Sequence, residues 1–262
     1  MQLEEHVLLM IKAEFFVQLI GAAFFLILNI YLAKQGFSDP EIANFISYRF
    51  LAVMLLAFPL GFYIKGKPLK PFFIFGSLGV PTVAIALVLV VQYGLYQYLP
   101  ILFILWGIVF TLFQVSSLPY IMRNTAIHNQ SHAISLNYAT HSFGTILSGI
   151  IIFGFGQFMK EIDEGIILLF ISFIGFFGVY YLLKMKIDVV VPVKKGLQWK
   201  SYDWSLLLKA IIPTLIIAVG AGLTIPFINL FFFHNFQVDS TGFAVIGGVA
   251  SVLVAILALL VP

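Results

Sequence analysis

Long apolar runs alternate with short polar breaks along almost the whole chain. Crossing a hydrocarbon core of roughly 30 Å takes about 20 mostly apolar residues of helix. Eight runs reach that length: about 7–33, 42–64, 71–92, 99–121, 133–157, 164–185, 205–233 and 242–262. Inside lipid each is predicted to be helical, because an open strand leaves backbone N–H and C=O groups without partners. The breaks are short except for one, "KIDVVVPVKKGLQWKSYDW", which holds Pro192, Gly196 and most of the local charge. The predicted organisation is an N-terminal six-helix transmembrane bundle over 1–185, a basic linker over 186–204, and the start of a C-terminal bundle over 205–262.

Composition turns this pattern into a membrane assignment. Hydrophobic residues make up 61% of the chain and charged residues 10%, with a mean hydropathy of +1.08. A soluble domain needs far more charge to cover its surface, so an all-α polytopic membrane protein is expected. Cysteine is absent, which excludes disulfides and thiolate metal sites. The start, "MQLEEHVLLM", lacks the basic region and small-residue cleavage site of a secretory signal.

Charge sets the expected orientation, since basic residues collect on the cytoplasmic side. With the N-terminus inside, that side receives Lys12, Lys65, Lys67, Lys70, Arg123, Lys184, Lys186, Lys194, Lys195, Lys200 and Lys209. The outer loops receive Lys34 and Lys160, and Arg49 falls within the second span. A multi-pass protein of the cell (inner or plasma) membrane with a cytoplasmic N-terminus is therefore expected.

Six spans in the first unit mean that a second unit enters the membrane in the same direction, so span seven should resemble span one. "FFLILNIYLAKQGFSDPEIA" (24–43) and "TIPFINLFFFHNFQVDSTGF" (224–243) share an order. In each, an apolar run carries one Asn near its end, Asn29 or Asn229. Aromatic residues and a short polar loop follow, and an Asp stands ten positions after the Asn, Asp39 or Asp239. Parallel repeats of this kind place a substrate site near the midplane between the halves. A second half of equal length needs four more helices, so the chain is expected to be a fragment with eight spans of twelve.

With "IYLAKQGFSDPEI", "PLGFYIKGKPLKP", "PYIMRNTAIHNQSHAISLNYA" and "GAGLTIPFINLFF" in view, the chain resembles the major facilitator superfamily of secondary transporters. The resemblance implies a helical bundle that moves a small solute by alternating access. It also implies a gating loop after span two, where the family usually reads Gly-x-Leu-Ala-Asp-Arg-x-Gly-Arg-Arg. Gly61 and Lys70 fit its ends, while Lys65 replaces the Asp and Pro68 the second Gly. Lys65, Lys67 and Lys70 are either that gate or plain positive-inside charge. The proton-linked Arg expected three residues before Gly107 is Ile104, and the Gly-Pro pair of drug antiporters is missing from "GTILSGIIIFGFG". A proton-driven drug antiporter is not supported.

Polar groups inside a span are costly and mark candidate functional positions. Glu14, Gln18, Gly21, Phe25 and Asn29 fall at helical spacing on one face of span one. They line a cavity or hydrogen-bond between helices, and Glu14 lies near the cytoplasmic edge, where water can reach it. Arg49, about two turns or 11 Å into span two, holds an anionic substrate, pairs with a carboxylate, or snorkels to the interface. His141 in span five, with Asn137 and Ser148 on its face, is a proton-coupling candidate alongside Glu14, or a packing residue. Gln114 and Ser117 form a polar patch in span four near Pro119. Gly220, Gly222 and Pro226 are expected to form a hinge just before Asn229, by analogy with broken transporter helices, or to serve close packing. The 29 phenylalanines carry no inference about an aromatic substrate.

The expected function is secondary active transport of a small solute, with a proton or sodium ion as coupling ion. The alternative is a non-transporting membrane receptor or assembly factor on a carrier-like scaffold. Neither the paired Asp-rich motifs of prenyl transferases nor His-Glu-x-x-His is present, so no enzyme activity, cofactor or metal is expected. The partners are the solute and the lipid bilayer, with no nucleic acid.

Overall fold

The computed structural model describes residues 3–159, 162–186 and 204–260. Lys160 and nearly all of the linker 186–204 lie outside the described residues. Helices follow one another in the order α1 (Glu5–Lys34), α2 (Asp39–Tyr63), α3 (Lys70–Gln92), α4 (Leu99–Asn124), α5 (Ile127–Phe158), α6 (Glu164–Gly175), α7 (Phe177–Lys184), α8 (Trp204–Thr224), α9 (Ile228–Phe236) and α10 (Ser240–Leu260). There is no strand among the described residues. Single 3-10 turns, Tyr96–Tyr98 and Ile225–Phe227, lead into α4 and α9.

Among the described residues, seven stretches are long and apolar enough to cross a bilayer, with α6 and α7 forming one and α8 and α9 another. This is the architecture of an all-α, multi-pass membrane protein. The eighth expected span, 242–262, corresponds to α10, whose apolar stretch over Ser240–Val254 is shorter than a full span among the described residues.

Local chemistry explains where helices begin. Ser38 precedes α2 and donates its backbone N–H to the Glu41 carboxylate at 2.8 Å, a capping box followed by Pro40 at the first turn. Asp163 caps α6 by accepting from Gly165 N at 3.2 Å. Span seven breaks at Pro226, which has no N–H to continue the ladder. A Cβ built on Gly220 or Gly222 meets nothing within 4 Å, so neither glycine serves close packing here.

α1 is the axis of the fold. It packs against α3, α5, α6, α7, α9 and α10, and its residues from Val17 to Leu32 are almost all buried. α2 lies outside on α4, and α10 lies along α5 and α1. Gly149 permits the close approach of α5 and α10, since a Cβ there stands 2.9 Å from the Ala244 carbonyl oxygen. Large apolar side chains such as Met54, Phe58 and Leu55 on α2 and Ile216, Ile217 and Leu223 on α8 face outward, as they do against lipid tails rather than water.

Candidate functional site

A cavity of about 600 Å³ lies between α1, α2, α4, α5 and the last turn of α8. Of the residues predicted for a site, Gln18, Asn29, Arg49, Gln114, His141, Gly222 and Pro226 line it. Glu14, Asn137, Gly220 and Asn229 do not. Phenylalanines 24, 25, 50, 103 and 110 supply much of the remaining wall.

Arg49 is held by helix contact. Gly107 on α4 has no side chain, so the Arg49 backbone carbonyl lies where a Cβ at position 107 would stand. The guanidinium carbon then sits 5.4 Å from the Trp106 ring, 5.4 Å from Phe110 and 5.7 Å from Phe50. Cation–π contacts partly offset the lost hydration. No carboxylate pairs with it: the ion pairs among the described residues are Lys34–Glu164 and His234–Asp39. Its Nε is buried with no hydrogen-bond partner. The surrounding rings place the head group among helices, and this geometry disfavours a snorkelling role.

Glu14 is buried, at 1% exposure, although it lies near the end of its span. Gln18 donates its amide to Oε1 at 3.4 Å, and Ser117 and Asn137 also face the carboxyl. One oxygen, Oε2, has no partner. Lys12 does not pair with it and instead lies 5.8 Å from the Tyr181 ring. The polar cluster thus joins α1, α4 and α5 just beyond the cavity. Ser148 donates to the Leu19 carbonyl at 2.9 Å and tethers α5 to α1. The His141 side chain opens onto the cavity without a hydrogen-bond partner among the described residues.

Asn29 and Asn229 meet. The Asn29 amide donates to Oδ1 of Asn229 at 3.0 Å and to the Pro226 carbonyl at 2.7 Å. Asn229 donates back to the Phe25 carbonyl at 3.1 Å and the Leu26 carbonyl at 3.4 Å. At the same end of the bundle, His234 on α9 bonds Asp39 on α2 at 3.0 Å. Lys34 pairs with Glu164, which also accepts from Ser240 Oγ at 2.8 Å. Sequence reasoning counted Lys34 only as an outer-loop charge and missed His234. The signal was there: a shift of 200 residues aligns Lys34 with His234 as well as Asn29 with Asn229.

Among the described residues, the loop after α2 bonds to partners in the first six spans. Arg123 donates to the carbonyls of Lys67 at 3.0 Å and Ile64 at 3.2 Å. Lys70 caps the end of α7 through the carbonyls of Leu183 and Met185. Lys67 lies 3.1 Å from the centre of the Tyr63 ring, while Lys65 and Gly61 are exposed. Among the described residues no three side chains gather that could hold a metal ion. No protein-family model matches the chain, and no curated protein matches it either.

Proposed function

We propose that this chain is part of a secondary carrier of the major facilitator type, whose two parallel halves open a shared cavity alternately to either side of the membrane. The observation that carries the reading is the reciprocal bonding of Asn29 and Asn229. Asn29 reaches the backbone three residues before Asn229, and Asn229 reaches the backbone three and four residues before Asn29. A contact in which i meets j and j meets i in the same way is the mark of a two-fold axis. Here both partners belong to one chain, 200 residues apart, as parallel repeats require. The packing of α10 on α5, beside that of α9 on α1, extends the same interface.

In this reading the N-terminus is cytoplasmic. Lys12, Lys65, Lys67, Lys70, Arg123, Lys184, Lys186 and Lys209 then face the cytoplasm, and the joined ends of α1 and α9 close the outer side. Gln18, Asn29, Arg49, Gln114 and Asn137 are the substrate-side positions with Asn229, and Glu14 and His141 the groups through which a proton can couple. The loop of Gly61, Lys65, Lys67 and Lys70 is the inner gate, and Gly220, Gly222 and Pro226 form the hinge.

The absence of cysteine permits a direct test. Gln18→Cys or Ala221→Cys is labelled with a membrane-impermeant thiosulfonate from each side. A carrier exposes these positions to both sides in turn, and a short cross-link between Asn29→Cys and Asn229→Cys removes the outer access. Labelling from one side alone, unchanged by the cross-link, refutes alternating access and leaves the receptor or assembly-factor alternative.

A further inference from the structure

Resting on the carrier reading, we infer that the cavity selects a small organic anion with an apolar, ring-bearing body, and that Arg49 is the specificity-determining residue. A guanidinium inside a span normally pairs with a carboxylate, because an unpaired charge in a low dielectric is costly. Each described acidic residue is accounted for elsewhere. Asp39 bonds His234, Glu41 bonds Ser38, Glu164 bonds Lys34 and Ser240, and Asp239 accepts from Gly242 N. Asp163 caps α6, and Glu4 and Glu5 stand at the start of α1.

Glu14 is the acid closest in kind, being within a span, but it sits at the wrong depth. The Phe24 ring packs tilted against Trp106 at 4.3 Å, Phe110 sits over Gly21, and the guanidinium carbon lies 5.4 Å from both Trp106 and Phe110, which puts Arg49 between the levels of Gly21 and Phe24. Glu14 is seven to ten residues from that level on α1, about 10–15 Å of helix rise, and its carboxyl is engaged by Gln18. Arg49 therefore faces a cavity of about 600 Å³ with its charge unmatched by the described chain.

What surrounds that charge fixes the rest of the ligand. Phe24, Phe25, Phe50, Phe103 and Phe110 wall the cavity and offer ring faces to an apolar body. Gln114, whose amide has no partner among the described residues, sits with His141 on the same cavity lining as polar groups suited to orienting a ligand. A bidentate carboxylate on Arg49 with its apolar part against these rings satisfies both features. A cationic solute is repelled by the Arg49 charge.

Three solutes of one shape and different charge test this: naphthylacetate, naphthylacetamide and naphthylethylamine, titrated against the purified protein in phosphatidylcholine nanodiscs. The expected order is acid, then amide, then amine. Arg49→Gln is expected to weaken the acid by roughly 10- to 100-fold and the amide far less, and Arg49→Lys to recover part of the loss. An unchanged ligand-free thermal unfolding midpoint reports that the variant is folded. Equal binding of acid and amide, acid binding indifferent to Arg49→Gln, or no acid binding at millimolar concentration overturns the inference. Repeating the titration in phosphatidylglycerol separates sources of the anion: competition there identifies an acidic lipid as the occupant, and its absence a solute from water. Flux of naphthylacetate in proteoliposomes is read separately. Binding through Arg49 without flux removes the carrier and keeps the site, whereas flux of the amide or amine keeps the carrier and removes this ligand class.

Discussion

The two ends of the helical cluster are held by different means. Where α1 runs into α2, side chains from α1, α2, α6, α9 and α10 bond across the structure: Asn29 with Asn229, Asp39 with His234, and Lys34 with Glu164 and Ser240. At the opposite end α8 has no extensive contact with another helix, and its first turns are exposed. Within lipid, apolar packing offers little preference between a neighbouring helix and an acyl chain, so directional bonds and close contacts between small residues decide which helices stay together. A joint made of a few such bonds can open without disturbing the core around α1.

Substitutions at the joined end test this contrast, and they differ widely in expected size. Gly149→Leu is the most severe, because the new side chain meets the α10 backbone. Thermal unfolding in detergent should show a loss of roughly 3 kcal/mol, together with failure of the Asn29→Cys, Asn229→Cys cross-link. Lys34→Met leaves the nearly buried Glu164 with Ser240 as its remaining side-chain partner, at a cost of about 2 kcal/mol, and Lys34→Arg should restore most of it. A double-mutant cycle over Asn29→Ala and Asn229→Ala should give a coupling of about 1 kcal/mol, and a coupling near zero would mean the two amides do not sense one another. His234→Asn should change stability by less than about 0.5 kcal/mol, since the two side chains of that pair are 47% and 53% exposed.

Much of this architecture was legible in the pattern of apolar runs, because a bilayer imposes length and helicity on each crossing. The break in span seven was legible too, through Pro226, although the glycines beside it serve no packing contact. The break between α6 and α7 at Phe176 was not, for it carries no proline and depends on how that span seats on α1 and α3. At the site, the polar stripe of span one is divided: Gln18 and Asn29 line the cavity, while Glu14 turns into a cluster with Gln18, Ser117 and Asn137. Arg49 stood out by its charge alone, but the lack of a carboxylate beside it is a property of three dimensions. The tie from Lys34 to Glu164 spans 130 residues and leaves no local trace.

The distance along the chain between Asn29 and Asn229 also orders events during synthesis. At roughly 5–20 residues per second, a ribosome needs about 10–40 s to travel from one to the other. By the last part of that interval α1 already has most of the helices that bury it, while the Asn29 amide still lacks its partner. The pairing of α1 with α9 is therefore among the last to form, and on a chain released or stalled before residue 229 the Asn29 amide is left without Asn229.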